Sequence, residues 1–163
     1  ARVEAEAAQA NVLVGLLNDL FRSSDPLAAF FGDAAPALGL GGTPEGRAAV
    51  LGPFLRAAAA RFRDSLTDPA AAPARAKLLA GVGNGMKSLG LFADAKPVLE
   101  EALALRRAHL PGPDAHPDVW QSELDLGRLE AEGGDLLGGA ARCRRVLALQ
   151  EAAGAPPEVR LTT

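Results

Sequence analysis

The chain has two histidines, His109 and His116. They flank the turn Pro111-Gly112-Pro113, with Asp114 and Asp118 close by. Imidazole and carboxylate together can hold a metal, but a proline-interrupted spacing of seven residues is not a ligand pattern. Cys143 is the sole cysteine and stands beside Arg142, Arg144 and Arg145. Neighbouring cations favour a thiolate. Successive helical residues point in different directions, however, and no motif places a histidine beside the sulfur. Cys143 is therefore read as a buried, inert packing residue. Gly81-x-Gly83-x-Gly85 looks like a phosphate loop, yet it follows no strand and lacks the Lys-Ser/Thr ending. Its glycines are read as points of close helix approach, each weakening the helix by ~1 kcal/mol relative to alanine. No metal, cofactor or catalytic set is expected, and the segment is not read as an enzyme.

A second group of residues suits recognition. Lys77, Asn84, Lys87 and Ser88 lie along one helical stretch, and Gln121, Asp125, Arg128 and Glu132 along another. If the two helices run side by side, these eight line a groove for a protein or peptide. Asn84 and Lys87, one turn apart, suit a peptide backbone or a carboxylate. Ala80 and Gly81 leave the centre of the groove nearly flat. The same eight residues would also suit a plain solvated face.

Their placement depends on Leu79–Leu105. Leu79, Val82, Gly83 and Met86 share one side of a helix; Gly90 breaks it; Phe92, Ala95, Leu99 and Ala102 share one side of the next. Small residues sit where two antiparallel helices would cross, and large ones fill the gaps. Shifted by 44 residues, part of the pattern returns: Leu126-Gly127, Gly134, Leu136, Cys143 and Val146-Leu147. A helical hairpin repeated at this period marks an α-solenoid. The helices are predicted at 73–90, 93–110, 116–133 and 136–153, with Trp120 as a packing residue. In the second hairpin Glu123 and Glu130 stand where Leu79 and Met86 did, and Gly139 replaces Ala95. Its first helix is therefore expected to pack loosely or to be rotated.

Upstream, Val3, Ala7, Ala10, Leu13, Leu17, Leu20 and Phe21 give residues 1–23 one broad apolar face, widened by Val12 and Leu16. Ser23-Ser24-Asp25-Pro26 ends that helix. Residues 24–46 show no sustained period, and Phe30-Phe31 is expected to anchor this loop. Thr43 and Pro44 suit a helix start. Gly52-Pro53 is expected to interrupt it, leaving 53–66 as the stronger helix, with Leu55, Ala58, Ala59, Phe62 and Leu66 inward. Downstream, Pro156-Pro157-Glu158-Val159 resembles His116-Pro117-Asp118-Val119, as though a further helix begins. Val146, Leu147 and Leu149 are expected to be bare, covered by the tail, or packed on another molecule. The opening in mid-helix suggests a fragment of something longer.

Composition narrows the class. Six Phe, one Trp and no Tyr leave an aliphatic, alanine-rich core, which favours close-packed helices over sheets. The net charge of -3, with no basic cluster interleaved with aromatics, carries no nucleic-acid signal. No apolar run is long enough to span a bilayer, and one cysteine excludes an internal disulfide.

Leu79-x2-Val82-Gly83-x2-Met86 followed by Phe92, Ala95-x3-Leu99-x2-Ala102 resembles the tetratricopeptide repeat. The long hairpin and the connector Leu110-Pro-Gly-Pro-Asp114-Ala-His116-Pro117-Asp118 resemble its kinesin-light-chain type. The likeness covers about residues 74–163. It implies a structural turn in which His116 supports the next helix. AEAAQANVLVGLLNDLFRSSDP, followed by a variable loop and then a helix ending RFRDSLTDPAAAPARAKLL, resembles the segment after the membrane helix in planctomycete-like bacterial serine/threonine kinases. That implies the regulatory repeat region of a signalling protein, on the extracytoplasmic side or in the cytoplasm, with any kinase domain outside this segment. The whole is read as an all-α, right-handed solenoid: residues 1–72 form an N-terminal helical cap, and residues 73–163 form two hairpins and the start of a third. The expected role is protein–protein interaction. The alternatives are an oligomerising segment, self-associating through residues 1–23 or the open C-terminal end, and a small-molecule sensor using loop 24–46.

Overall fold

The computed structural model describes residues 44–156. The expectations for residues 1–23, for most of loop 24–46, for Thr43 and for the helix starting near Pro157 lie outside them. Within the described residues the chain is all-helical, with five α-helices and no strand: α1 (Pro44–Ser65), α2 (Ala72–Ser88), α3 (Phe92–His109), α4 (Pro117–Glu132) and α5 (Leu136–Ala152). Short 3-10 turns at Pro69–Ala71 and Pro113–Ala115 precede α2 and α4. Each helix packs on its neighbours in sequence, with α2·α3 and α4·α5 the most extensive pairs.

Glycine decides where the hairpins turn. Gly90 has φ +75°, a left-handed conformation that costs a glycine little. The Leu91 N–H then donates to the Met86 carbonyl at 2.9 Å, so a carbonyl in the last turn of α2 is satisfied. Gly134, at φ +99°, repeats the device, and the Asp135 N–H donates to the Glu130 carbonyl at 2.7 Å. Asp135 then caps α5 by accepting from the Gly138 N–H at 2.9 Å. His116 does the same for α4, its Nδ1 accepting from the Asp118 N–H at 3.1 Å.

Helix α1 corrects one expectation. It runs unbroken through Gly52-Pro53. Proline removes one N–H and crowds the preceding turn, but burial of Leu55 and Ala59 anchors the helix beyond it. Leu91 fits against Gly52, where an added Cβ would lie 3.1 Å from its Cδ1.

The main core joins Leu55 and Ala59 of α1 to the interior of the first hairpin and to Val119, Leu126 and Leu129 of α4. A smaller cluster holds Trp120, Leu124, Val146 and Ala155. Val146 is thus fully buried, in part by the chain just after α5, while Leu147 and Leu149 are half-buried.

The crossings are tight in both hairpins. A Cβ on Gly83 would sit 2.7 Å from Leu99 Cγ. A Cβ on Gly139 would sit 2.5 Å from the Gly127 carbonyl oxygen, so the second hairpin brings backbone against backbone. Gly139 is no defect: of the two alternatives expected for α4, loose packing and rotation, loose packing is not found at this crossing. Gly81 is the opposite case: nothing lies within 4 Å of where its Cβ would be, so it marks no close approach. Glu123 is fully buried, yet it faces Arg107 of α3 and Arg142 of α5. Arg142 Nη1 donates to Glu123 Oε2 at 2.6 Å, and its Nε donates to Glu130 Oε2 at 2.8 Å. Burial lowers the Arg142 pKa, but the hydrogen bonds and charges of Glu130 and Glu123 outweigh it and raise the value.

Candidate functional site

Helices α2 and α4, the first of each hairpin, border a cleft of about 450 Å³. Lys77, Asn84, Lys87 and Ser88 line it from α2, and Gln121, Asp125 and Arg128 from α4. Ala80 and Gly81 form part of its surface. Seven of the eight groove residues expected from sequence therefore meet in one place. The eighth, Glu132, does not line the cleft; its carboxylate lies 4.0 Å from Lys87 Nζ.

Asp125 is the centre of the polar floor. It is buried, 7 % exposed. Its Oδ2 accepts from Asn84 Nδ2 at 3.1 Å across the helix pair, and its Oδ1 accepts from Gln121 Nε2 at 2.9 Å. Both carboxylate oxygens are thus engaged, and the Asn84 amide is oriented by its donor. The remaining acceptor, Asn84 Oδ1, is buried without a hydrogen-bond partner. An orphaned acceptor costs roughly 1–3 kcal/mol. Ser88 contributes less, because its hydroxyl donates to the Asn84 backbone carbonyl at 3.0 Å.

Arg106 joins the cleft from α3 and was not among the residues expected there. Its Nη1 donates to the Asp118 carbonyl at 3.1 Å and to the Ser122 hydroxyl. Burial lowers its pKa, with Asp118 and Asp125 pulling the other way. In sequence, a basic pair in the last turn of a helix reads as a complement to the helix dipole. What could have found it is the length of the side chain, which lets the end of α3 reach into the next hairpin.

The cleft lining thus carries four cations, Lys77, Lys87, Arg106 and Arg128, against one carboxylate that is already satisfied. The chain as a whole is net negative, at -3.

The other candidates have structural positions. Trp120 is buried and its Nε1 donates to the Asp114 carbonyl at 2.8 Å. His116 caps α4, and His109 is exposed. Cys143 is half-buried rather than fully buried, beside the second core cluster. Its neighbour Arg142 is committed to Glu123 and Glu130. Among the described residues, no group of three or more His, Cys, Asp and Glu is placed to hold a metal. Among them, too, no helix is long and apolar enough to cross a membrane.

The described residues form an all-helical fold with a polar, cation-lined cleft between α2 and α4. Comparison with family models, curated proteins and solved structures gave no match. The likeness to tetratricopeptide repeats therefore rests on the residues of the chain itself.

Proposed function

We propose that this chain is a protein-interaction module: a short right-handed solenoid of tetratricopeptide-like hairpins, capped by its N-terminal region, that binds an acidic peptide segment between α2 and α4. One observation carries the reading. Four cations and one satisfied carboxylate share the cleft of a net-negative chain. Complementary charge of this kind favours encounter with an acidic partner and disfavours a basic one. The orphaned Asn84 Oδ1 adds a second element. A peptide N–H that displaced the side chains covering it would gain a hydrogen bond that the free protein lacks. The wider setting, a regulatory repeat region of a bacterial signalling protein such as a membrane-anchored serine/threonine kinase, rests on resemblance alone. The full sequence of the parent gene tests it.

The binding claim is tested with fluorescent peptides of acidic, neutral and basic composition, read by anisotropy at several salt concentrations. Acidic peptides should bind best, with affinity falling as salt rises. Lys87→Ala with Arg128→Ala should weaken that binding by about tenfold or more and flatten the salt dependence. Indifference to peptide charge, or unchanged affinity in the double variant, would move the site elsewhere.

A further inference from the structure

Helix α1 is apolar on two sides. One side, with Leu55 and Ala59 fully inside and Ala58 and Phe62 partly so, packs on the first hairpin. The opposite side carries Ala49, Val50, Pro53, Phe54, Ala57 and Ala60, all exposed. Phe54 is 78 % exposed and Val50 46 %. At 100° per residue these six fall within one continuous arc, and polar side chains enter it only towards the C-terminal end, at Arg61 and Asp64. A contiguous apolar face opposite the side already packed on the hairpin is a surface suited to a second partner. The inner helices α2, α3 and α4 present no large exposed hydrophobic side chain, so this is a property of an end of the row.

We propose that the cover is residues 1–23 of the same chain, docked through the face of Leu13, Leu17 and Leu20. Three arguments select this occupant over others. First, length: 23 residues of helix span ~34 Å and the 22 residues of α1 ~33 Å, so one can lie along the whole of the other. Second, shape: the large side chains of the N-terminal segment meet a surface built mostly of alanine and proline, into which they can settle as ridges into grooves. Third, tethering: the 20 residues between Ser24 and Thr43 reach up to ~66 Å, enough for either orientation. A tether of that kind holds the segment at roughly millimolar effective concentration, which a second copy does not match at micromolar protein. The proposal does not depend on the groove and survives if no acidic peptide binds there.

The test is hydrogen exchange, read by mass spectrometry on the full 163-residue chain, comparing wild type with Phe54→Glu. Phe54 is largely exposed, so the change leaves the hairpin core in place, and unchanged protection of Leu79–Met86 checks this. In wild type, amides of residues 10–22 should exchange at least ~10-fold more slowly than in an unfolded chain, and Phe54→Glu should abolish that protection. Leu17→Glu should abolish it from the other side, and serves if Phe54→Glu also loosens the hairpins. Four results overturn the proposal: no protection of residues 10–22 in wild type; protection that survives both variants; loss confined to the Phe30-Phe31 stretch, which would make the loop the occupant; or protection that vanishes on dilution, which would make it a second copy.

Discussion

The two helical hairpins, α2–α3 and α4–α5, are held together differently. In the first, Leu79 and Met86 fill the interior and are fully buried, and the helices cross where Leu99 lies over Gly83. In the second, Glu123 and Glu130 take those two places. Arg107 and Arg142 reach Glu123, and Arg142 and Lys96 reach Glu130. The helices cross with Gly127 backbone against Gly139. Apolar burial is non-directional and needs only volume and shape. A buried carboxylate is tolerated only if its charge and lone pairs are met. The second hairpin therefore depends on residues outside itself: Lys96 and Arg107 belong to the first. The ion network is a tie between hairpins as much as a filling within one.

Three experiments sharpen or break that contrast. The largest effect should come from Ala95→Glu. Ala95 is fully buried in the apolar core of the first hairpin, so a carboxylate there would be placed among hydrophobic side chains. The cost is several kcal/mol, a large share of the ~5–15 kcal/mol that holds a domain together. Loss of the cooperative thermal transition in circular dichroism is expected; a melting point within a few degrees of wild type would mean that the crossing is misplaced.

Next is Glu123→Ala, which removes the carboxylate and leaves two partly buried guanidinium groups facing each other. Breaking a buried pair from one side costs about 3–5 kcal/mol. Replacing Glu123 by Leu together with Arg142→Met should recover much of that loss, because an apolar substitute of similar size avoids the desolvation cost. Urea midpoints of the two variants decide it. Equal midpoints for wild type and Glu123→Ala would show that the arginines are satisfied by solvent and that the tie is decorative.

The smallest effects compare two glycines. Gly139→Ala forces a methyl to 2.5 Å from the Gly127 carbonyl oxygen and should cost about 1–3 kcal/mol through overpacking. Gly81→Ala meets nothing within 4 Å and should stabilise by up to ~1 kcal/mol through helix propensity. The ordering of their denaturation midpoints is the readout. If Gly81→Ala is the more damaging of the two, the groove surface is filled in solution.

Four of the five described helices lie within two residues of where periodicity and turn chemistry put them. Gly90 and Gly134 both adopt the positive φ that a hairpin turn requires, and the small positions Gly83 and Ala95 are at the crossing. Helical spacing places the seven groove residues on one side of α2 and one side of α4, and the tertiary packing of the two helices brings those sides together into one cleft. Pro53 misled because a local breaker was weighed without the tertiary anchoring of Leu55 and Ala59. The glutamates misled because their partners are distant: Arg107 is 16 residues before Glu123 and Arg142 is 19 after it. No helical period links such positions.

What the sequence determined by itself is what depends on near neighbours. Helix spans, glycine turns and the polar side of each helix follow from residues three or four apart or from a single backbone dihedral angle. The tertiary structure decided everything that needs three helices at once. It made Glu123 a buried anion with two cations, turned Gly139 from an expected weakness into a required contact, and brought Arg106 into the cleft. The physical reason is the same in each case. The cost of a buried charge or of an added methyl is set by whatever atoms stand within a few ångströms, and in a stack of hairpins those atoms come from other turns of the chain.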